Sequence, residues 1–462
     1  MTSPANTRLP ISDDVEAVLP AAISRAHDWL KSTADEEDKA TEQLADLLRD
    51  EDGVKFTMDF VDRVMRPEDD KVAAHALKDI SSHYDPSFLG SINGALVGVG
   101  GFFGPILPNL VMPVARLYMR KMVGHLVLDA ESDALNKILD KAAESGEQLN
   151  LNLLGEAVLG EEEAKSRAQR TLKLIQNPRV TYVSVKASSM VAQLNHWDID
   201  GSVERLKERL RPLYQAAADR TDKVFINMDM EEYHDLHLTI RLFKELLSEP
   251  EFLTLDAGIV LQAYLPDTFD ALKDVADFAK ERVAKGGGKV KVRIVKGANL
   301  SMETVQGEVH DWPLATYTNK LDVDANYYRL LDFILREEYA DSVRIGVATH
   351  NLYTAAMAYE LGKKRGVLHM MDSEMLQGMS PAQQAAVRKV FDGRQILYTP
   401  VVHADDFDVA VSYLVRRLEE NSAPQNFLYA LFAPGEEPLA DQEETFRRAV
   451  AKRWDTFCLL YT

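Results

Sequence analysis

Short runs of apolar and β-branched residues recur along most of this chain, and helical stretches lie between them. Strands that alternate with helices are typical of parallel βαβ units. Eight units within about 280 residues match a closed (β/α)8 barrel. An open doubly wound sheet is the alternative. Such a sheet would be favoured by a GxGxxG motif after a strand, but no GxGxxG is present, and the three glycines at 286–288 precede an apolar run instead of following one. The runs are residues 149–154, 180–185, 223–228, 258–264, 289–295, 343–348, 367–371 and 395–401.

The region before the first run has a helical pattern. Residues 13–81 are acidic and carry apolar residues at intervals of three and four, as in Val15, Val18, Leu19 and Ile23. We therefore predict a helical N-terminal arm over 1–147, the barrel over 148–435, and a C-terminal connector or tail over 436–462.

Residues 86–115 contain no charged side chain but include six glycines and four prolines. A transmembrane helix needs about 20 apolar residues, and these glycines and prolines would interrupt it in lipid. Three interpretations stay open: a membrane span, a buried or loop-rich connector, and contact with a membrane surface or a partner. An ordinary amphipathic helix is predicted over 116–145.

Composition excludes some classes of function. A formal net charge of −20 argues against nucleic acid as a partner, because phosphate binding needs clustered Lys and Arg. Cys458 is the one cysteine, so an internal disulfide and a cysteine-based metal site are excluded. The N-terminus lacks the pattern of a secretory signal, and we expect a cytoplasmic protein.

Polar residues lie where most of the apolar runs end. In (β/α)8 barrels the chemistry lies at the carboxyl ends of the strands, so together these residues predict an active site. Each by itself also fits a structural role as a cap, a buried polar group or a salt bridge. The polar residues are Glu156, Lys186, Asp229, Gln262, Arg293, Lys296, Thr349, His350, Glu374 and Tyr398, and the apolar Leu376 lies beside Glu374.

Residues 411–421 predict a helix with two neighbouring arginines on one face. Helical geometry puts Tyr413, Arg416, Arg417 and Glu420 together on that face. One interpretation is a surface helix on which Arg416 pairs with Glu420. The other is a site for a small carboxylate, which guanidinium groups bind through parallel hydrogen bonds.

Histidine spacing predicts no metal site. His234 and His237 form a close pair, but they lack the context of an HExxH or HxH motif. A GxSxG elbow for a serine nucleophile is also missing.

Seven sequence motifs, taken in order along the chain, resemble one known family. They are VSVKAS around Lys186, INMDMEE around Asp229, VLQAYLPD around Gln262, VRIVKGAN from Val292, ATHN from Ala348, LQGM from Leu376 and YLVRRLEEN from Tyr413. Over about residues 150–432 the chain resembles the proline dehydrogenase module of the bifunctional proline utilization flavoenzymes.

The resemblance implies a role in proline catabolism: FAD-dependent oxidation of L-proline to Δ1-pyrroline-5-carboxylate, with hydride transfer to flavin N5 and a quinone as electron acceptor. It implies that Asp229 and Arg293 are catalytic and that Glu156 is a gate that pairs with Arg416. The implied substrate-binding residues are Lys186, Leu376, Tyr398, Tyr413, Arg416 and Arg417. The implied FAD-binding residues are Met230, Gln262, Val295, Lys296, Gly297, Ala298, Thr349, His350 and Asn351.

The chain departs from the family pattern in three places. Asn299 replaces a tyrosine that many members carry, no basic ribbon-helix-helix segment precedes Asp13, and the sequence stops at FCLLYT where bifunctional relatives continue into an aldehyde dehydrogenase module. The expected associations are peripheral contact with the inner face of a membrane and assembly into a homo-oligomer.

Three alternative functions are kept beside the family expectation. The first is a flavin-free lyase or aldolase that uses Lys186 or Lys296 as a Schiff-base nucleophile. The second is a non-catalytic remnant that serves as a binding partner. The third is a hydroxyproline dehydrogenase, which Tyr398 disfavours because it should crowd a ring hydroxyl.

Overall fold

A computed structural model describes most of the chain. The described residues are 13–34, 51–67, 69–84, 101–102, 104–123, 127–130, 132–155, 158, 160–403, 410, 413, 417, 420–421, 423–433 and 435–455. Glu156 and Arg416, which were both predicted from the sequence to contribute to the site, lie outside them.

The strands of the described residues form one sheet that closes into a barrel. Its order is β1-β9-β2-β3-β4-β5-β6-β7-β8, and β8 also pairs with β9, so β2 to β9 complete the circle. Neighbouring pairs such as β5 and β6 run parallel. The prediction of a (β/α)8 barrel is therefore confirmed. The strands are β1 (Leu128–Asp129), β2 (Gln148–Leu153), β3 (Tyr182–Lys186), β4 (Phe225–Asp229), β5 (Ala257–Gln262), β6 (Val290–Val295), β7 (Val343–Ala348), β8 (Met371–Leu376) and β9 (Gln395–Val402).

One predicted strand is wrong. The apolar run at 367–371 was expected to be a strand, but Leu368–Met370 form a 3₁₀ turn and β8 begins at Met371. Val367 and Met370 are both buried here, so these residues are apolar because they are buried and not because they form a strand. The strand itself has the sequence MDSEML, whose polar residues are buried, and this hides it from a search for apolar runs.

Helices precede the barrel, follow its strands and end the described chain. The helices of the described residues are α1 (Asp14–Thr33), α2 (Glu51–Phe60), α3 (Asp70–His83), α4 (Pro108–Val123), α5 (Ser132–Ser145), α6 (Glu161–Gln176), α7 (Ile199–Asp219), α8 (Leu236–Leu247), α9 (Thr268–Ala284), α10 (Leu300–His310), α11 (Lys320–Ile334), α12 (Glu337–Ala340), α13 (Leu352–Lys364), α14 (Pro381–Val390), α15 (Phe427–Phe432) and α16 (Glu437–Lys452). A π-helical turn, Val61–Met65, continues α2. No helix within the described ranges combines the length and apolar character needed to cross a membrane.

The described chain divides into two compact units. The first contains described residues of 1–30, 194–373 and 443–462, and the second contains those of 31–193 and 374–442. Strands β4 to β7 therefore belong to the first unit, while β2, β3 and β9 belong to the second.

A buried ionic network ties the two ends of the first unit to α11. Arg453 lies after α16, and its Nε donates a hydrogen bond to Asp332 Oδ2 at 3.0 Å. The same guanidinium reaches Glu16 in α1 at 2.6 Å. Arg365 and the Trp454 indole also donate to Asp332, so the buried carboxylate is fully surrounded by donors.

The second unit contains a cluster of apolar residues that joins the arm helices. It packs α2, the π-turn and α3 against α4. The prediction that the segment before the barrel is helical is confirmed, but the single helix expected over 116–145 is wrong. There, β1 separates α4 from α5 because its residues pair with β9. The buried members of the cluster are Phe56, Phe60, Val61, Val64, Met65, Ala73, Ala74, Leu77, Ile80 and Met112.

Candidate active site

Asp229 and Arg293 form a largely buried ion pair in the first unit. Asp229 is the last residue of β4, and its Oδ1 lies 3.8 Å from Arg293 Nη1 in β6. Asn227, two residues earlier on the same strand face, donates to Asp229 Oδ1 at 2.8 Å. Both charged side chains are largely buried, so the ion pair is only weakly screened by solvent. The structure thus brings the two predicted catalytic residues together, and it adds Asn227, which the two-residue period of a strand could have identified.

Gln262 ends β5 with its amide group buried. Its Nε2 donates to the Glu231 carbonyl at 3.1 Å, which ties β5 to the segment after β4. Its Oε1 meets no hydrogen-bond partner among the described residues. A buried acceptor without a partner is costly, so this atom fits a ligand that presents an N–H or O–H donor. Met230, which is also predicted to contact a cofactor, is buried beside Asp229.

Lys296 follows β6 and shares one carboxylate with a second lysine. The ammonium groups of Lys296 and Lys320 both contact Asp324. Burial lowers the pKa of Lys296 to about 8, and the Asp324 carboxylate opposes that shift. Two cations on one anion leave a local positive charge, which suits an anionic ligand such as a pyrophosphate.

Gly297 allows the backbone to approach an aromatic ring closely. Its φ is +118°, and an added Cβ would lie 2.5 Å from Tyr264 Cδ1. The backbone here is fixed by hydrogen bonds of 2.8 Å from Ala263 N to Val295 O and from Tyr264 N to Lys296 O. Ala298 is exposed at the surface. Only glycine fits at 297, because any side chain would collide with Tyr264.

The segment after β7 contains three more predicted cofactor residues. Thr349 and His350 are half-buried, and Thr349 Oγ1 accepts a hydrogen bond from Asn351 N at 3.0 Å. Asn351 caps α13, since its Oδ1 accepts from Thr354 N at 3.2 Å. The backbone N–H of Asn351 serves Thr349 and its carbonyl accepts from Ala355 N, so its side-chain amide nitrogen is what it can offer to a ligand.

Tyr264 and Glu303 form a polar contact that sequence reasoning missed. Glu303 Oε1 accepts from Tyr233 N at 2.6 Å and lies 3.4 Å from the Tyr264 hydroxyl. Burial, followed by the charge of Glu303, raises the pKa of Tyr264 far above its ordinary value. Tyr264 therefore stays a hydrogen-bond donor at any physiological pH. Glu303 lies within α10, where it fits a solvated face and gives no sequence signal.

In the second unit, Tyr398 in β9 is held by a neighbouring strand. Asn152 of β2 donates a hydrogen bond to the Tyr398 hydroxyl, and both side chains are buried. The Tyr398 carbonyl accepts from Gln377 N at 3.0 Å, directly after Leu376. Leu376 packs at the edge of a cluster that includes Phe432. Two predicted substrate-binding residues, Leu376 and Tyr398, are thus linked within this unit through the hydrogen bond of Gln377.

Arg417 is paired with Glu420 and lies beside Tyr413. Its Nη1 donates to Glu420 Oε2 at 2.6 Å, and its Cζ lies 5.2 Å from the centroid of the Tyr413 ring. The sequence interpretation of a surface helix had named Arg416 as the partner of Glu420. Lys186 ends β3 and is half-buried.

Comparisons with solved structures identify similar proteins. Proline utilization A from Corynebacterium freiburgense is 60% identical, covers 74% of this chain and 33% of its own, and has a TM-score of 0.68. Proline utilization A from Bdellovibrio bacteriovorus, inactivated by N-propargylglycine, is 26% identical, covers 94% of this chain and 44% of its own, and has a TM-score of 0.75. The chain therefore spans less than half the length of these relatives. No curated protein matches the chain.

The proline dehydrogenase family matches residues 134–430 of the chain. The match includes every barrel strand from β2 to β9 and the segment that carries Tyr413 and Arg417. It covers well over half of the 462 residues. The chain therefore belongs to the proline dehydrogenase family.

Proposed function

We propose that this chain oxidises L-proline to Δ1-pyrroline-5-carboxylate with FAD as its cofactor and a quinone as the electron acceptor. The observation that carries the proposal is the buried pair of Asp229 and Arg293, which are 3.8 Å apart at the carboxyl ends of β4 and β6. Barrel enzymes carry out their chemistry at this end of the strands, and the pair lies within the residues that match the family.

The first unit offers what FAD requires. The acceptor Gln262 Oε1 is buried without a partner among the described residues, and Gly297 leaves space that a side chain would fill. Lys296 and Lys320 supply positive charge for the pyrophosphate. FAD, when bound, supplies the acceptor for the hydride that leaves the carbon next to the proline nitrogen. The proposed FAD-binding residues are Met230, Gln262, Val295, Lys296, Gly297, Ala298, Thr349, His350 and Asn351.

The second unit offers the groups that a small cyclic amino acid requires. We assign the carboxylate of proline to Lys186, Arg416 and Arg417, because guanidinium and ammonium groups bind carboxylates through charge-assisted hydrogen bonds. Tyr398, Tyr413 and Leu376 would contact the ring. The gate formed by Glu156 and Arg416 stays a prediction, since both residues lie outside the described ranges.

The reaction requires a fixed and deprotonated amino acid, because a protonated amine cannot assist loss of hydride from the adjacent carbon. Holding the carboxylate and the ring restricts the orientation of that carbon, and such positioning contributes several kcal/mol to catalysis. We assign Arg293 to the reacting centre and Asp229 to the orientation of Arg293, with Asn227 fixing the carboxylate.

The test is a spectrum followed by turnover. Purified protein should show flavin absorption bands, and anaerobic addition of L-proline should bleach them. Acid precipitation should release the flavin into the supernatant, because no residue lies in a recognisable flavin-linking context. Turnover with proline should be faster with a soluble quinone than with oxygen. Loss of activity after incubation with N-propargylglycine, the compound in the Bdellovibrio bacteriovorus structure, would support the assignment. A colourless protein that does not bind added FAD would refute it.

A matched pair of variants tests whether the Asp229–Arg293 pair carries the activity. Arg293→Lys should lower the kcat/KM for proline by more than tenfold, because lysine lacks the planar fork of arginine. The control is Arg179→Lys, since Arg179 pairs with Asp140 at 2.6 Å on the surface of the second unit. Equal kinetics in both variants would remove Arg293 from the reacting centre.

A second candidate function rests on the lowered pKa of Lys296. A lysine with a pKa of about 8 could act as a Schiff-base nucleophile in a flavin-free lyase. Its contact with Asp324 favours the charged ammonium and weakens that alternative. Trapping with borohydride in the presence of a keto acid would label Lys296 if the lyase is correct, and the flavin spectrum would be missing.

The domain boundaries, the membrane contact and the oligomeric state stay predictions. We keep the division into an arm at 1–147, a barrel at 148–435 and a tail at 436–462. Contact with a membrane surface is supported by the exposed apolar side chains of Leu110, Val114 and Leu117, which lie at helical spacing on α4. Homo-oligomer formation and the quinone acceptor are kept as predictions as well.

A further inference from the structure

Two histidines and a buried aspartate converge in the first unit, and none of them is among the residues assigned above to cofactor and substrate. His196 precedes α7, while His234 and Asp235 lie in the turn between β4 and α8. Asp235 Oδ1 lies 2.6 Å from His196 Nε2 and 3.6 Å from His234 Nε2. One ligand atom from each of the three residues fits within 4.8 Å of the others.

The carboxylate of Asp235 faces the imidazoles and not the helix that it begins. Asp235 occupies the N-cap position of α8, where an aspartate usually accepts a hydrogen bond from the first turn. Its side chain makes no such bond. Asp235 is only 6% exposed. The Asp235 carboxylate is therefore buried, does not cap the helix and faces two imidazoles. It places negative charge beside two nitrogen atoms that can bind a metal.

The second ring nitrogen of His234 is also placed as in a metal site. His234 Nδ1 lies 3.3 Å from Glu232 Oε2, while its Nε2 faces Asp235. Histidines that bind metals nearly always donate their other N–H to a carboxylate or carbonyl, which fixes the tautomer and the ring orientation. Glu232 can serve that role for His234. Glu232 and Asp235 together would balance the charge of a divalent cation.

The spacing suits a tetrahedral ion. Zinc binds imidazole nitrogen and carboxylate oxygen at about 2.0–2.2 Å, so tetrahedral ligand atoms lie about 3.4 Å apart. The observed separations of 2.6 and 3.6 Å bracket that value. The side chains of His196 and His234 are 34% and 48% exposed. They therefore have room for the small ring rotation required, and water can reach the fourth position.

We propose that His196, His234 and Asp235 bind one zinc ion, with Glu232 holding the ring of His234. The ligand set selects the metal class, because imidazole with carboxylate suits zinc and its transition-metal neighbours, whereas magnesium and calcium prefer oxygen ligands. The ion would join the segment before α7 to the turn after β4. Sequence spacing could not reveal this site, because His196 and Asp235 are 39 positions apart.

Zinc binding can be measured on the full chain without a histidine tag. After treatment with a chelator and its removal, isothermal titration with zinc chloride should give about one ion per chain. His196→Gln and His234→Gln should each weaken binding at least tenfold. Glu232→Gln should weaken it by about 10–100-fold, as expected for a residue that orients a ligand. The matched control is His237→Gln, because His237 is exposed on α8, three residues beyond His234.

Two results would overturn the proposal. One is the absence of zinc binding by the wild-type chain. The other is equal affinity in the His196, His234 and His237 variants, which would mean that the contact of His196 with Asp235 is a hydrogen bond only. X-ray absorption at the zinc edge of the wild-type protein gives an answer even if a variant fails to fold. It should show two imidazole ligands, and a spectrum without imidazole scattering would contradict the site.

Discussion

Arg453 and Asp332 form an ion pair that is almost completely removed from solvent, with Nε 3.0 Å from Oδ2 and side-chain exposures of 1% and 0%. The pair links the end of the described chain to α11, and Glu16 of α1 contacts the same guanidinium. Two buried charges are costly to desolvate, so their benefit depends on complete pairing. Removing Arg453 should therefore destabilise the first unit, because the buried Asp332 carboxylate then has one donor fewer.

The first prediction concerns stability. Arg453→Met should lower the free energy of unfolding by about 3 kcal/mol, because it removes one donor to a buried carboxylate. Arg365 and Trp454 still donate to Asp332, which keeps the loss at the low end of the usual range. The double variant Arg453→Met, Asp332→Leu should recover only part of the loss, because Arg365 and Trp454 then lose their shared acceptor. Urea unfolding measures both.

A surface pair near the same helix end provides the control. Arg447 pairs with Glu443 at 2.6 Å on the exposed side of α16. Arg447→Met should change the stability by less than about 1 kcal/mol. An Arg453 variant as stable as this control would show that the buried pair contributes nothing.

The second prediction concerns pH. Burial lowers the pKa of Lys296 to about 8 from 10.5, so between these values the unfolded chain binds more protons than the folded chain. Stability should therefore rise with pH across this window, by up to about 1.4 kcal/mol per pH unit. The penalty is fully present below pH 8 and is relieved above it.

The difference between wild type and Lys296→Met isolates this effect. Buried tyrosines with raised pKa values, such as Tyr339 and Tyr353 at about 12, are common to both proteins and cancel. Urea unfolding of the FAD-free proteins should be followed from pH 7 to 10, because a bound pyrophosphate would favour the charged ammonium. A wild-type curve parallel to that of the variant would mean that Lys296 titrates like an ordinary lysine.

The third prediction concerns Gly297. Gly297→Ala should reduce the flavin content and the stability, because the added Cβ would lie 2.5 Å from Tyr264. Gly286→Ala is the control, since Gly286 also has positive φ but its Cβ would meet nothing within 4 Å. The control should show the cost of backbone strain, about 1 kcal/mol, with normal flavin content. Flavin-to-protein ratios that match in the two variants would remove Gly297 from the cofactor site.

The fourth prediction concerns Arg417. If Arg417 binds the substrate carboxylate, Arg417→Lys should lower proline efficiency by well over tenfold at unchanged flavin content. Lysine has no planar fork, and a half-paired buried anion costs about 2–5 kcal/mol. Arg416→Lys should behave alike. If Arg417 serves only its 2.6 Å pair with Glu420, turnover stays normal and stability changes by less than about 1 kcal/mol. Steady-state kinetics with proline decide between these outcomes.

The fifth prediction concerns specificity. Tyr398→Ser should reduce the ratio of kcat/KM for proline to kcat/KM for 4-hydroxyproline, chiefly by lowering the value for proline. A packing contact of this size is worth roughly 10–200-fold. Tyr398→Phe keeps the ring and is the matched control for specificity. It should lower stability by about 1–3 kcal/mol, because the buried Asn152 amide loses its acceptor. A ratio of efficiencies that is unchanged in Tyr398→Ser would mean that this tyrosine does not line the pocket.

The sequence alone determined the architecture and most of the candidate residues. Apolar runs at regular spacing predicted the barrel, because most strands buried on both faces are apolar over much of their length. The polar residues at the ends of these runs included Asp229 and Arg293, since parallel strands bring their carboxyl ends to one end of a barrel. Both inferences use information that lies within a few neighbouring residues.

The tertiary structure decided what depends on contacts between distant residues. It moved one strand to the polar segment Met371–Leu376, because side chains inside a barrel can satisfy polar groups that a search for apolar runs rejects. It paired Arg417 with Glu420 and Arg453 with Asp332, and it brought His196 to Asp235. Local periodicity reports only which face of an element is buried. Which charges meet there depends on how the whole chain closes, because residues 121 positions apart, such as Asp332 and Arg453, become neighbours only after folding.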